Sequence, residues 1–520
     1  MQPTGTECFW SESTLILFNT LRKAVSNKIA LIKGSSLKAR SARGAIILTI
    51  ATFIERLTRL VRNMVLARLL APEDFGLMAI VMAVLVCMEA FTDVGVQQAV
   101  IQNKVGAKAE YLNIAWWFQA VRGLGLFVIA FLGAPAICSF YDKPELLGML
   151  RVSIMVVLFS GLISPRLFVL EKEFRFLKVA FLVHGSALLG ALLTISLALY
   201  MQNAWVLVIG YVGQSVLTCF LSHVLCPFRP NFTIDRNSLN ELLWFCRRMF
   251  GLSFLTIVSL QTDVFVLGKL VPTAQVGMYA LALSLAVQPV GMFGQTISRV
   301  LLPAFAEKQD NKQSLRHAML KLIRATVVLG VPLVAIAAMF AGSILSVVYG
   351  SRYAAVAVPF GILCFSQLFR IQACILAVVF LATGQPQLQR RYVIILAALI
   401  IGLIYPGVVL FDLAGAAGVI LLANAIGVFM QVMWIREQIG LRFLDYAYCW
   451  LPGLLGCTVV LASAGVMRLF GVQSLFYNVA VVGLSCIPAC VIATLLLKPK
   501  YSRTCESRKT VEKLEYSSSV

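Results

Sequence analysis

Charge is scarce in this 520-residue chain: Asp, Glu, Lys and Arg make up 13% of it, against 60% hydrophobic residues and a mean hydropathy of +0.88. A soluble domain carries about 25% charged residues to keep its surface wet. A water-facing globule is therefore excluded, and the class is membrane. Histidine is scarcer still: His184, His223 and His317 stand too far apart for zinc-ligand spacing. The 13 cysteines form no C-x-x-C pair, and most, such as Cys87, Cys219 and Cys374, lie in apolar runs where a free thiol behaves as a small hydrophobe. No metal site and no cofactor is expected. A G-x-x-x-x-G-K-[ST] phosphate loop is missing, which excludes ATP hydrolysis by that route. The balance of 44 Lys and Arg against 23 Asp and Glu gives +21. No basic stretch is interleaved with aromatics as single-strand nucleic acid binding requires, and basic cytoplasmic loops produce the same sum in a membrane protein.

What the chain has is long apolar runs. A span needs about 20 apolar residues, and runs of that kind fall near 44–68, 76–98, 112–134, 146–168, 178–200, 205–225, 247–270, 277–299, 322–345, 357–381, 391–411, 414–435, 447–468 and 476–497. The fold expected is an all-α polytopic membrane protein of about 14 transmembrane helices. Residues 1–43 carry seven Lys/Arg and the tail from Lys498 carries six. Loops joining even to odd spans hold most of the rest: Lys172, Arg175 and Lys178; Arg229, Arg236, Arg247 and Arg248; Lys308, Lys312, Arg316, Lys321 and Arg324. The opposite loops hold little beyond Lys143 and Arg352. By the positive-inside rule both termini are expected in the cytoplasm. The N-terminus does not read as a cleaved signal peptide, because residues 1–13 lack Lys and Arg and the run Leu15–Phe18 is too short. Apolar residues at 18, 21, 25, 29 and 32 fit either a helix on the anionic inner leaflet or a basic tail. The far-side loops are short, which argues against a membrane glycosyltransferase or polymerase. No residue reads as a catalytic nucleophile or general base, so an enzyme is not expected.

Two segments align without a gap at a separation of 201 residues: VLARLLAPEDFGLMAIVMAVL from Val65 and VLGKLVPTAQVGMYALALSLA from Val266. Val65/Val266, Leu66/Leu267, Leu69/Leu270, Gly76/Gly277 and Ala79/Ala280 are identical, and Arg68/Lys269 keeps its charge. Each segment joins an odd span to the next even one in the same sense. Two six-helix lobes plus two extra helices follow, in a parallel-repeat transporter plan. The organisation expected is a basic segment 1–43, an N-lobe 44–225, a linker 226–246, a C-lobe 247–436, spans within 447–497 and a tail 498–520.

A charge at the bilayer centre costs roughly 2.5–3.5 kcal/mol on insertion scales, so it faces a cavity or a partner. The first span is richest: on a helical wheel Thr52, Glu55, Arg56, Arg59, Arg62 and Asn63 share an arc of about 120°. Arg122 and Arg370 are single arginines in apolar runs, and Glu89, Asp93 and Asp263 are the acidic counterparts. The repeat offset sets Asp263 against Arg62, which raises the expectation that the two meet near a central cavity.

The string ARLLAPEDFGLMAI followed by TDVGVQQAVIQ, from Ala67 to Gln102, resembles the Wzx-type polysaccharide and O-antigen flippases of the multidrug/oligosaccharidyl-lipid/polysaccharide exporter superfamily. Its marks here are Pro72, Asp74, Phe75, Gly76, Asp93 and Gly95, with weaker likeness in VYGSRYAAVAVPFGIL and LATGQPQLQRRYVI. The likeness runs from about 45 to 497, and the N-terminal extension departs from the family pattern. The resemblance implies two lobes around a central cavity. It also implies a lipid-linked oligosaccharide, on undecaprenyl diphosphate, turned across a bacterial inner membrane for exopolysaccharide, capsule or O-antigen synthesis. Membrane lipids, H+ or Na+ as coupling ion, a polysaccharide polymerase and glycosyltransferases are the partners it implies. Arg56, Arg59, Arg62, Arg122 and Arg370 are then candidates to hold diphosphate and glycan, and Asp263, Glu89 and Glu55 to couple an ion or form cavity salt bridges. A multidrug or metabolite cation antiporter of the same fold and a peptidoglycan lipid-precursor flippase are the rivals. The arginine-rich first span argues against the former.

Overall fold

The computed structural model describes residues 37–92, 95–231, 235–249 and 252–469. The readings of the N-terminal segment up to residue 36, of Asp93, of the fourteenth span at 476–497 and of the tail from 498 lie outside these residues. Within them every regular element is helical.

The N-lobe runs α1 (Leu37–Leu69), α2 (Pro72–Thr92), α3 (Val96–Gln102), α4 (Ala109–Tyr141), α5 (Leu146–Ser153), α6 (Met155–Gly161), α7 (Arg166–Lys172), α8 (Phe176–Ala198) and α9 (Trp205–Leu225). A surface helix, α10 (Arg236–Met249), leads to the C-lobe: α11 (Leu252–Leu270), α12 (Thr273–Ala306), α13 (Lys312–Met339), α14 (Ala341–Val348), a 3-10 turn at Ser351–Val356, α15 (Ala357–Ala382) and α16 (Pro386–Ile439). After it comes α17 (Phe443–Leu469). By length and composition eight of the described helices suffice to cross a membrane, or nine if the bent stretch Leu146–Lys172 is one span. Exposed Leu124, Val128, Ile129 and Leu132 on α4 show why: these side chains need hydrocarbon, not water.

Three differences from the expected spans have local causes. The span expected at 146–168 is broken into α5, α6 and α7 and bends by 58°. Gly161 lies so close to α4 that a Cβ there would sit 2.6 Å from the Gln119 carbonyl oxygen. At the break the amide of Ser164 donates to Ser222 Oγ at 3.0 Å and its hydroxyl donates to the Cys226 carbonyl at 2.7 Å, so the freed backbone keeps partners. The two spans around Asp412 form one 54-residue element, which would be about 81 Å long if straight. Asp412 (φ 54°, ψ −135°) folds it into a hairpin instead, with Gly407 and Gly415 in backbone contact. Finally, the expected linker contains α10, which buries Leu242 and Cys246 against Val96, Tyr111 and Ile114 and exposes Leu243 and Trp244.

The repeat is built into the contact between the lobes. Helix α2 packs along α11 and α12. A Cβ on Gly76 would collide with the Thr273 carbonyl, and one on Gly277 with the Pro72 carbonyl. Pro72 and Thr273, like Gly76 and Gly277, are 201 residues apart, so each glycine seats the first turn of the other lobe's helix in a pseudo-twofold crossing. At this corner end the lobes share one core: Leu66, Leu70 and Ile80 join Leu267, Tyr279, Leu345 and Leu363. At the other end the cores are separate, one around Val100 and Tyr111 in the N-lobe and one around Ile323, Phe380 and Ile435 in the C-lobe.

Candidate functional site

The charged residues of α1 begin just below the shared core. Leu66 and Leu70 are buried in that core; one turn deeper come Asn63 and Arg62, and then Arg59, Arg56 and Glu55. Arg62 donates to its neighbour, with Nη2 at 3.2 Å from Asn63 Oδ1. Arg59 forms an ion pair with Glu55 one turn away and keeps 51% of its side chain exposed. The same helix exposes Ile50, Phe53, Ile54 and Leu57. Arg56 crosses to the C-lobe: Nη1 lies 3.4 Å from Gln288 Oε1 on α12, and a Cβ on Gly291 would overlap its guanidinium. Its Nε is buried without a hydrogen-bond partner.

Glu55 has a second partner on α8. His184 Nδ1 is 2.9 Å from Glu55 Oε2, with both side chains mostly buried (16% and 19% exposed). Tyr211 on α9 lies within electrostatic range of Arg59 and of Glu89 on α2. The N-lobe thus brings Glu55, Arg56, Arg59, Arg62 and Glu89 toward one region. Arg122 is half-buried on α4.

Asp263 and Arg370 belong to a separate C-lobe cluster. Asp263 on α11 is 2% exposed and accepts from Tyr279 Oη at 3.1 Å and from the Val264 amide at 2.8 Å, with Arg370 on α15 in electrostatic range. Asp263 and Arg62 therefore bond within their own lobes, and the meeting read from the repeat is not the arrangement present. Position 279 carries Tyr where its repeat mate, Met78, has no donor, so the two lobes solve this level differently.

The family-marking residues build the corner rather than a binding surface. Pro72 opens α2, and Asp74 accepts the Ala71 amide at 3.0 Å, which fixes the turn out of α1. Phe75 is buried in the shared core and Gly76 lies in the lobe crossing. Gly95 sits at φ 73°, a left-handed conformation that suits glycine, and starts α3. Around the corner, cross-lobe bonds repeat the symmetry. Arg68 at the end of α1 donates to the Val347 carbonyl of the C-lobe at 2.8 Å. Its repeat mate Lys269, at the end of α11, pairs with Asp142 of the N-lobe at 2.5 Å. Beside it Lys143 donates to the Gly268 carbonyl at 2.9 Å, although burial and the nearby Lys269 lower its pKa.

Sequence reasoning found the α1 face from its spacing. It missed His184, Tyr211, Gln288, Gly291 and Tyr279, since each gains meaning only from a helix distant in sequence. The one available signal was His184 itself, an ionisable residue within an apolar run.

Comparison with known proteins places the chain. A family model described as "Polysaccharide biosynthesis protein" matches residues 65–358. The lipopolysaccharide biosynthesis protein WzxC of Escherichia coli (strain K12) is 24% identical over 437 residues, covering 82% of this chain and 88% of WzxC. A membrane protein in the cps region of Klebsiella pneumoniae is 23% identical over 427 residues, covering 81% of this chain and 86% of its own. Among solved structures, the lipid II flippase MurJ in an inward closed conformation matches with a TM-score of 0.70 at 15% identity, over 87% of this chain and 98% of MurJ. An inward-facing multidrug resistance MATE family transporter of the MOP superfamily matches at 0.58 and 18% identity, over 76% of this chain and 98% of its own. The likeness to these solved structures establishes the fold, an all-helical bundle of two lobes.

Proposed function

The chain belongs to the polysaccharide biosynthesis protein family, and from that premise we propose that it is a flippase for lipid-linked oligosaccharide. Its substrate is an oligosaccharide on undecaprenyl diphosphate, turned from the inner to the outer leaflet of a bacterial inner membrane. The observation that carries this reading is Arg59: an arginine at mid-span, half-exposed, with Arg56 and Arg62 on the same helix face. A guanidinium offers forked donors that match phosphate oxygens. A cationic face inside a two-lobed bundle lets the diphosphate and sugar cross while the lipid tail stays in hydrocarbon. The names of relatives point the same way, toward surface polysaccharide.

The positive-inside pattern supports placing both termini in the cytoplasm, with the corner end outward. The arrangement described, joined at the corner end and with separate cores at the other, is then the state that loads from the cytoplasm. An inside-negative potential favours outward movement of an anion by about 2.3 kcal/mol per charge per 100 mV, so ion antiport is not obligatory. Asp263, held by Tyr279 and Val264, reads as a lock within the C-lobe. Asp263→Asn should leave the ion dependence of transport unchanged; an altered dependence would make Asp263 the coupling site instead.

Complementation of a flippase-deficient strain tests the whole reading. The intact chain should restore surface polysaccharide. Arg59→Ala should abolish most of it at matched expression, since losing charge-assisted bonds to phosphate costs about 1.5–3 kcal/mol, roughly 10- to 150-fold. Drug resistance without restored polysaccharide would favour the antiporter. Rescue of a strain lacking peptidoglycan-precursor flipping would favour that substrate.

A further inference from the structure

The Glu55 carboxylate is divided between two partners on different helices: one oxygen meets Arg59 on α1 and the other meets His184 Nδ1 on α8 at 2.9 Å. An ionised carboxylate only accepts, so Nδ1 carries the hydrogen in this bond and Nε2 is the nitrogen left to take a proton. Nothing in the proposed flippase reading uses His184.

We propose that the Glu55–His184 pair is a proton-binding site coupled to the arginine face: when an anionic phosphate headgroup takes Arg59, His184 takes up one proton at Nε2. The inference rests on the reading that Arg59 receives a diphosphate. Glu55 is paired with both His184 and Arg59. A diphosphate oxygen competes with Glu55 for the same guanidinium. Once Arg59 turns to the ligand, Glu55 keeps the His184 imidazole as its partner. A proton from solvent, added at Nε2, converts that contact into an imidazolium–carboxylate pair. No covalent bond changes; one proton is gained on anion binding and lost on anion release.

The other charged groups at this place set the sign. Arg56 and Arg62, on the same helix, lie within electrostatic range of Arg59 and Glu55 and add positive charge beside the pair. Tyr211 from α9 lies within electrostatic range of Arg59 and of Glu89 on α2. Among the described residues of α12, uncharged Gln288 and Gly291 meet Arg56. Linkage then requires reciprocity: acid favours loading of the anion, and the anion favours protonation. Proton and headgroup bind the same state and travel together. An outside-acid gradient should therefore retard flipping rather than drive it, and the membrane potential remains the force acting outward.

The test uses the full chain in lipid nanodiscs, with farnesyl diphosphate as probe. Calorimetry near pH 7 in two buffers of different ionisation enthalpy reads protons taken up per probe bound. Uptake of up to one proton is expected in the parent chain beyond that in His184→Gln. The parent should also gain affinity relative to the variant by up to about tenfold per pH unit on acidification. Equal uptake and equal pH dependence in the two chains would overturn the proposal while leaving the flippase reading intact. Failure of the probe to bind either chain counts against the diphosphate reading, and a ligand-free arm then decides the switch. Carbon-13 at the histidine rings, with His184→Gln assigning one of three signals, reads the His184 titration. Arg59→Gln leaves Glu55 to His184 alone and should change that midpoint; an unchanged midpoint would overturn the switch.

Discussion

Arg56 and Gly291 show how a single side chain bridges the lobes. The arginine was legible in the sequence because its helix places it among Thr52, Arg59 and Asn63 on one face. Its partner was not, since a glycine in an apolar run announces nothing until a guanidinium is seen resting on it. Gly291→Ala should therefore be instructive. Alanine favours a helix by up to about 1 kcal/mol over glycine, so thermal stability in detergent should hold or rise. The added methyl must push the Arg56 guanidinium off Gln288, and complementation should fall several-fold. A variant with lowered stability and unchanged transport would show that this contact is packing alone. Asp263 makes the opposite case: the charge was visible, and the repeat pointed to the wrong partner. Tyr279→Phe removes a hydrogen bond to a buried carboxylate and should cost about 1.5–3 kcal/mol in unfolding, with the arginine face untouched.

At the scale of elements, the 201-residue repeat is where sequence carried furthest. Identity at Gly76/Gly277 survives because each residue must let a carbonyl of the other helix come close, and that requirement is geometric. Leu and Val positions in the same segments match merely because both helices are apolar. The break in α5 to α7 was only half legible: Pro165 stands just before α7 and marks a boundary, but the apolar run around it reads as one span. The close approach of Gly161 to α4 depends on a helix distant in sequence. Gly76→Leu and Gly277→Leu should each destabilise the bundle by roughly 1–3 kcal/mol through overpacking. As symmetry mates they should cost alike, and the double variant should cost less than the sum because both act on one contact. Thermal unfolding of the three variants measures this. A strictly additive pair would argue that the two glycines serve separate contacts.

On the scale of the whole molecule, composition alone decided the membrane class, while the joining of the lobes at one end depends on which cores merge. Arg68 and Lys269 are repeat mates that each reach into the opposite lobe at that end. Both contacts are largely exposed, so each contributes about 0–1 kcal/mol. Removing both should leave the fold intact and shift the balance between open and closed corner ends. A change of about 1 kcal/mol moves that population roughly fivefold. Spin labels at Tyr200 and Arg352, one in each lobe near the corners, should show a longer distance gaining weight in Arg68→Ala/Lys269→Ala. Labels at Lys104 and Gln309, on the other end, should show a shorter distance gaining weight in the same sample, because rigid lobes that part at one end must approach at the other. Lengthening at the corners without shortening opposite would mean that the corner loops fray locally, and the two lobes would not then be rocking bodies.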